Sequence, residues 1–139
     1  MLDYGLFMQN AQRSIVRDIL DYVSKNGLQE PNYFLISFQT DRSDVIIPDF
    51  VRAKYPQEIT IVLQYQFENL RAHEDCFNVD LAFGGVHSTL KVPYTALTRF
   101  VDPSQDFGFE LIPVDKRKEK DLEKSEDVQV IDLERYRKK

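Results

Sequence analysis

The 139-residue chain has one cysteine, two histidines and five glycines, and each scarcity removes a class of function. A single thiol, Cys76, closes no internal disulfide, which points to a reducing cytoplasm. His73, Glu74, Asp75 and Cys76 are adjacent, but successive residues of a strand or loop point in opposing directions, and His87 lies beyond another strand. A zinc site built from them falls at least one ligand short, so no metal is expected. Cys76 opens an apolar strand and reads as a small core residue rather than a nucleophile. Gly84-Gly85 lacks the further glycines, Lys and Ser/Thr of a phosphate loop, so no nucleotide cofactor is implied. Residues 1–7 contain Asp3 and are interrupted at Gly5, which predicts no cleavable leader, and no apolar run reaches the roughly 20 residues that cross a membrane. The carboxylates are scattered through loops. No catalytic constellation assembles, and the expectation is a protein that is not an enzyme.

Charge is present but unevenly distributed. The chain carries a formal charge of −5; the stretch to Ile112 has fifteen acidic and nine basic residues, whereas residues 128–139 have two acidic and four basic. An acidic body disfavours binding to phosphate backbones, which depends on Lys and Arg displacing counterions. Nucleic acid is therefore not an expected partner, and a small RNA-binding module is disfavoured.

Hydrophobic periodicity predicts one leading helix and several short strands. Met8, Ala11, Ile15, Ile19, Tyr22 and Val23 recur at steps of three and four over residues 8–26, and Asn26-Gly27 supplies the stop. Val16 and Leu20 fall off that stripe and widen the apolar arc, so the helix is either deeply seated or shared with a second subunit. After Pro31 the period shortens to two. Residues 33–38 are apolar on both faces and read as a central strand. Residues 41–48 read as a turn and a short apolar run. In residues 59–67, Ile59, Ile61, Leu63, Tyr65 and Phe67 share one face, and Thr60, Val62, Gln64 and Gln66 the other. Residues 68–75 read as a hairpin loop, and residues 77–83 as a strand with Ala82 on the face opposite Phe77, Val79, Leu81 and Phe83. Gly84-Gly85 marks a hairpin or a bulge, with residues 89–92 as the returning strand. Pro93 is placed to start a short helix through Phe100, and Phe107, Phe109 and Leu111 alternate as a last strand. The expected fold is mainly β (α+β), a small twisted sandwich or barrel behind one helix, with domain limits at 1–113.

Residues 114–127 carry eleven charged side chains, too little apolar surface to offset ordering entropy, and read as a flexible linker. Apolar residues return at Val128, Val130, Ile131, Leu133 and Tyr136, followed by Arg137, Lys138 and Lys139. Residues 128–139 read as a docking motif on a disordered tail, the alternative being a last element folded back on the body. Gln64 and Gln66 stand out in an otherwise apolar run. They either face water or offer paired donors and acceptors to an extended peptide.

Glu58-Ile-Thr-Ile-Val-Leu-Gln-Tyr-Gln-Phe67, Phe77-Asn-Val-Asp-Leu-Ala-Phe-Gly-Gly85 and Val92-Pro-Tyr-Thr-Ala-Leu-Thr-Arg-Phe-Val-Asp-Pro103 together resemble SspB, the stringent starvation protein B family, in its alpha-proteobacterial branch. The ending Leu133-Glu-Arg-Tyr-Arg-Lys-Lys139 is similar to that branch's protease-docking motif. The resemblance implies a cytoplasmic, homodimeric adaptor, without catalytic activity or cofactor, that holds the ssrA peptide added by tmRNA and delivers tagged chains to the ClpXP protease. It implies an Sm-like body after an N-terminal dimerisation helix. By position it places Gln64, Gln66, Phe67, Ala82, Phe83 and Gly84 in the peptide site. It assigns Val130, Ile131, Leu133, Arg135, Tyr136, Arg137 and Lys138 to docking on the ClpX unfoldase. The chain departs from that branch in its linker, which is short and mixed in charge where long acidic stretches are usual. A general peptide-binding chaperone of the same fold is the alternative.

Overall fold

The computed structural model describes residues 1–114. Helix α1 (Tyr4–Asn26) leads into β1 (Phe34–Gln39), α2 (Asp49–Lys54), β2 (Glu58–Leu63), β3 (Glu68–Ala72), β4 (Cys76–Phe83), β5 (Val86–Pro93), β6 (Leu97–Asp102) and β7 (Phe107–Glu110), with 3-10 turns at Tyr94–Ala96 and Pro103–Gln105. The strands form two antiparallel sheets, β2-β1-β6-β7 and β3-β4-β5. This is the α+β, β-rich architecture expected from the sequence, with β1 inside its sheet. One core joins the sheets and the helix; Leu20, Ile36, Phe38, Leu63, Phe77, Leu90 and Phe100 are fully buried within it.

Helix α1 starts earlier than its apolar periodicity predicts, because the Asp3 carboxylate accepts a hydrogen bond from Leu6 N at 3.0 Å and caps the first turn. It ends at the expected place, with Gly27 at φ 83°. Its orientation differs from the sequence reading. Arg13, Val16, Leu20 and Val23 are buried, whereas Met8, Ala11, Ile15 and Tyr22 are exposed. Positions 13, 16, 20 and 23 are themselves a three-four stripe, so the helix carries two overlapping apolar faces, and period alone does not select the inner one. Arg13 belongs inside because its stem packs while its guanidinium donates to Ile112 O (3.1 Å) and Asn10 Oδ1 (2.8 Å).

Three further elements depart from expectation. The long strand predicted over residues 59–67 stops at Leu63; the chain bends at residues 64–66 and continues as β3 in the other sheet, where a hairpin loop was expected. Residues 97–100, expected to be helical, belong to β6, because Ile36 and Leu35 of β1 offer partners to Phe100 and Val101. Helix α2 goes unpredicted, as only Val51 of its six residues is buried and so short a segment carries no readable period. The Gly84-Gly85 hairpin is as expected: both glycines have positive φ (56° and 83°), as a two-residue type I′ turn requires.

The end of the described chain is strapped to the body. Leu111 N donates to Thr98 O (2.8 Å) and Val114 N to Thr95 O (2.8 Å). Ile112 N donates to Gln9 Oε1 (2.7 Å), and Val114 O accepts from Arg42, which also clamps Asp44 with two hydrogen bonds. Val114, where the sequence reading begins the linker, is thus fastened to the domain. The remainder of that linker and the 128–139 motif lie outside the described residues.

Two measurements check this packing. Leu20→Ala removes a fully buried side chain and should cost about 2–5 kcal/mol in urea unfolding, whereas Asp18→Asn, on the exposed face, should cost under about 1 kcal/mol. Asp102 is buried; burial alone would raise its pKa, but hydrogen bonds from Asn32, Ser104 and the Tyr33 backbone outweigh it and hold the carboxyl below the usual range. A depressed pKa contributes stability that is fully present above the unfolded value of about 3.9 and is lost as pH falls through the folded value. Asp102→Asn should therefore be less stable than the parent at pH 7 by about 1–2 kcal/mol, and the gap should close as the pH drops below about 4.

Candidate functional site

Strand β2 is the end strand of its sheet, and an end strand leaves every second backbone N–H and C=O without a partner in the sheet. Of the other end strands, β5 is partly covered, since Ile46 and Lys91 exchange backbone hydrogen bonds of 2.9 and 3.0 Å along it, α1 packs on β3, and β7 is the end strand on the far side of the same sheet as β2. Beside β2 lies an open groove of about 430 Å³, bounded across the gap by Leu81, Ala82 and Phe83 at the end of β4. Ile59, Thr60, Ile61 and Val62 all line it. That both phases of the strand contribute means the groove runs along the strand's edge rather than over one face.

Its chemistry is apolar with uncharged polar points. Val62 stands 48 % exposed in it and Ala82 is also exposed. The polar side chains are Tyr55, Thr60, Gln64, Tyr65 and Gln66, and none of the lining side chains is charged. The Thr60 hydroxyl is already engaged with Ser37 Oγ at 2.6 Å, which leaves the glutamine amides as the principal adaptable donors and acceptors. The Tyr65 hydroxyl hydrogen-bonds the Glu30 carboxylate, whose hydrogen bond and charge raise the phenol's pKa.

Of the residues singled out in the sequence, Gln64, Gln66, Ala82 and Phe83 line this one groove. The two glutamines do so from the bend between sheets, not from a continuous strand. Phe67 faces away, packing on the core and lining a neighbouring cleft, and Gly84 sits in the hairpin turn without lining the groove. Val130, Ile131, Leu133, Arg135, Tyr136, Arg137 and Lys138 lie outside the described residues. Sequence reasoning missed Tyr55, which arrives from the end of α2. It had the signal for Thr60 and Val62, which it grouped with Gln64 on one face, but had no means of knowing that this strand has an open edge.

The reactive side chains are dispersed. Cys76 is buried and its thiol pKa is pushed up, chiefly by burial and then by Asp75. Among the described residues no group of three or more His, Cys, Asp and Glu side chains is placed to hold a metal ion, and no helix is long and apolar enough to cross a membrane.

The family model for stringent starvation protein B matches residues 6–138. The chain belongs to the SspB family. The match covers nearly all of it, running from the first turns of α1 through the basic C-terminal motif. SspB is a family of ClpXP adaptors and not of enzymes. No curated protein matches the chain.

Proposed function

We propose that this SspB protein is a cytoplasmic, homodimeric adaptor that binds the ssrA degradation tag in the β2–β4 groove and delivers tagged chains to ClpXP. The observation that carries the proposal is the open β2 edge with Gln64, Gln66 and Ala82 set along it. An extended peptide gains main-chain hydrogen bonds from such an edge, and the uncharged pocket walls read its side chains. The backbone term is tolerant of sequence; the glutamine amides and the small Ala82 would supply discrimination. Residues 128–139 would dock on ClpX, with Val130, Ile131, Leu133 and Tyr136 as apolar anchors and Arg135, Arg137 and Lys138 supplying complementary charge. A tether of about fourteen residues has an r.m.s. span near 20 Å and raises the local substrate concentration to the order of mM.

Dimerisation is supported by the outer face of α1. Phe7, Met8, Ile15 and Tyr22 are 58, 61, 41 and 65 % exposed, an apolar patch along a single helix of the kind that marks an association surface. A cleft of about 590 Å³ between the end of α1 and β6–β7, rimmed by Ile19, Tyr22 and Phe107, continues it. An Ile15→Glu protein that keeps its fold is accordingly expected to scatter light as a monomer while retaining tag binding.

In a titration with labelled ssrA peptide, Gln64→Ala should lose about 1–3 kcal/mol of binding, because a peptide group is left unpaired, and Ala82→Phe should block binding by filling the groove. Normal affinity in both folded variants would remove the tag from this groove. A degradation assay with ClpXP and dilute tagged reporter addresses the C-terminal motif. Truncation after Asp127 should preserve tag affinity and abolish accelerated degradation. Undiminished delivery by the truncated protein would favour the reading as a general peptide-binding chaperone.

A further inference from the structure

Beyond residues 64–66 the groove does not end. A second open cleft of about 420 Å³ shares Gln64 and Tyr65 with it and is lined by apolar Val23, Leu28, Phe67 and Leu70, by polar Ser24 and Asn69, and by Arg71. The two clefts therefore meet at the bend, with the exposed Tyr65 ring as the ridge between them. Their chemistry differs. The first has no charged side chain, and Arg71 is the single charged residue of the second.

Arg71 differs from Arg17, Arg42 and Arg52, whose guanidiniums are engaged within the domain. Arg17 pairs with Asp18, Arg42 with Asp44, and Arg52 is spent on the carbonyls of Thr40, Arg42 and Val45. Arg71 is exposed, and no hydrogen bond or ion pair joins it to a described residue. Its place is set by a β-bulge. Glu68 pairs with Asp80 but Arg71 with Asn78, so Asn69 and Leu70 together oppose one residue of β4. Asn69, at φ 54°, is pinned by its amide to Asp80 Oδ2 at 2.7 Å, and Thr89 holds the other oxygen of that carboxylate at 2.7 Å. Without the extra residue Arg71 would fall opposite Phe77, which is fully buried; with it, Leu70 goes into the core and Arg71 stays out.

We infer that this cleft is a second subsite for the same peptide, in which Arg71 pairs with an acidic side chain lying beyond the segment held against β2. The inference rests on the groove reading given above. Strand β2 is six residues long, about 20 Å of extended chain, so its edge accommodates roughly five or six peptide residues. A longer peptide leaving the Gln64 end crosses Tyr65 and reaches Val23, Leu28 and Leu70. An acidic domain repels carboxylates in general, and the Arg71 guanidinium in a cleft with no other charged side chain makes this the place where one is favoured. Because the cleft is open, the peptide passes over it, and the partner is a side chain rather than a chain terminus.

The test is fluorescence anisotropy with the full-length protein, a labelled ssrA peptide in C-terminally amidated and free-acid forms, and amidated versions with each Asp or Glu replaced in turn by Asn or Gln. Arg71→Gln and Arg71→Glu are compared with the parent after thermal melts confirm that they fold. At one acidic position neutralisation should weaken binding to the parent protein about threefold to fivefold and leave binding to Arg71→Gln unchanged. Arg71→Glu should bind the unmodified peptide about tenfold more weakly, a loss that shrinks as salt rises. Equal losses in parent and Arg71→Gln at every acidic position, or an Arg71 effect seen only with the free-acid peptide, would overturn the assignment. Peptide binding that is indifferent to Arg71 removes the second subsite alone, whereas a parent protein that binds none of the peptides removes the groove reading with it.

Discussion

The fold turns on how one chain leaves the edge of one sheet and enters the other. Two antiparallel sheets bury Ile36, Phe38, Phe77 and Phe100 between them, and each needs the other to cover its apolar face. The passage between them is made at residues 64–66, directly after Leu63 is buried and before Leu70 is buried again. A short bend between two buried leucines has little room to wander, so the side chains it carries are held by the core although they are themselves half-buried or exposed. Gln64, Tyr65 and Gln66 thus combine solvent access with a fixed position. The open edge of β2 is a consequence of the same passage, since a strand that hands its continuation to the opposite sheet has no following hairpin partner to cover it.

Much of this was legible in the sequence, and the illegible parts share a cause. Alternation found β1, β2 and β4, the glycine pair found the β4–β5 turn, and Gly27 found the end of α1. Periodicity reports that residues share a face; it does not report which face turns inward. In α1 the stripe through Met8, Ile15 and Tyr22 and the stripe through Val16 and Leu20 are both apolar, and the choice between them was made by the sheets the helix packs on. The alternation of residues 59–67 continues through the bend, because Tyr65 and Phe67 keep the phase of Leu63, so nothing local marks where β2 stops. Strand β6 was hidden for a related reason: Pro93 starts a turn, and Leu97 and Phe100 are three apart, a spacing equally at home on a helix or in a strand irregular at the β1 pairing.

At the site, residue identity was more legible than architecture. Gln64, Gln66, Ala82 and Phe83 were picked by composition and by family resemblance, and they line one groove. Phe67 and Gly84 were placed by the resemblance alone, and they flank the site at a bend and at a turn, where successive residues diverge. Arg71 had no signal at all, because one arginine in a polar run is unremarkable until a bulge places it. The bulge depends on Asn69 tolerating a positive φ and on Asp80 receiving its amide, two residues eleven apart that no local pattern connects.

The strap at residues 111–114 bears on how the domain would resist a pull on the chain beyond it. Its hydrogen bonds go to three separate places: Gln9 and Arg13 on the first half of α1, Thr98 and Thr95 beside β6, and Arg42 on the loop before α2. Tension applied beyond Val114 is therefore divided among several anchors that must yield together, rather than peeling one strand from a sheet bond by bond. Gln9 and Arg13 pass part of that load into α1, whose Val16, Leu20 and Val23 are seated in the core.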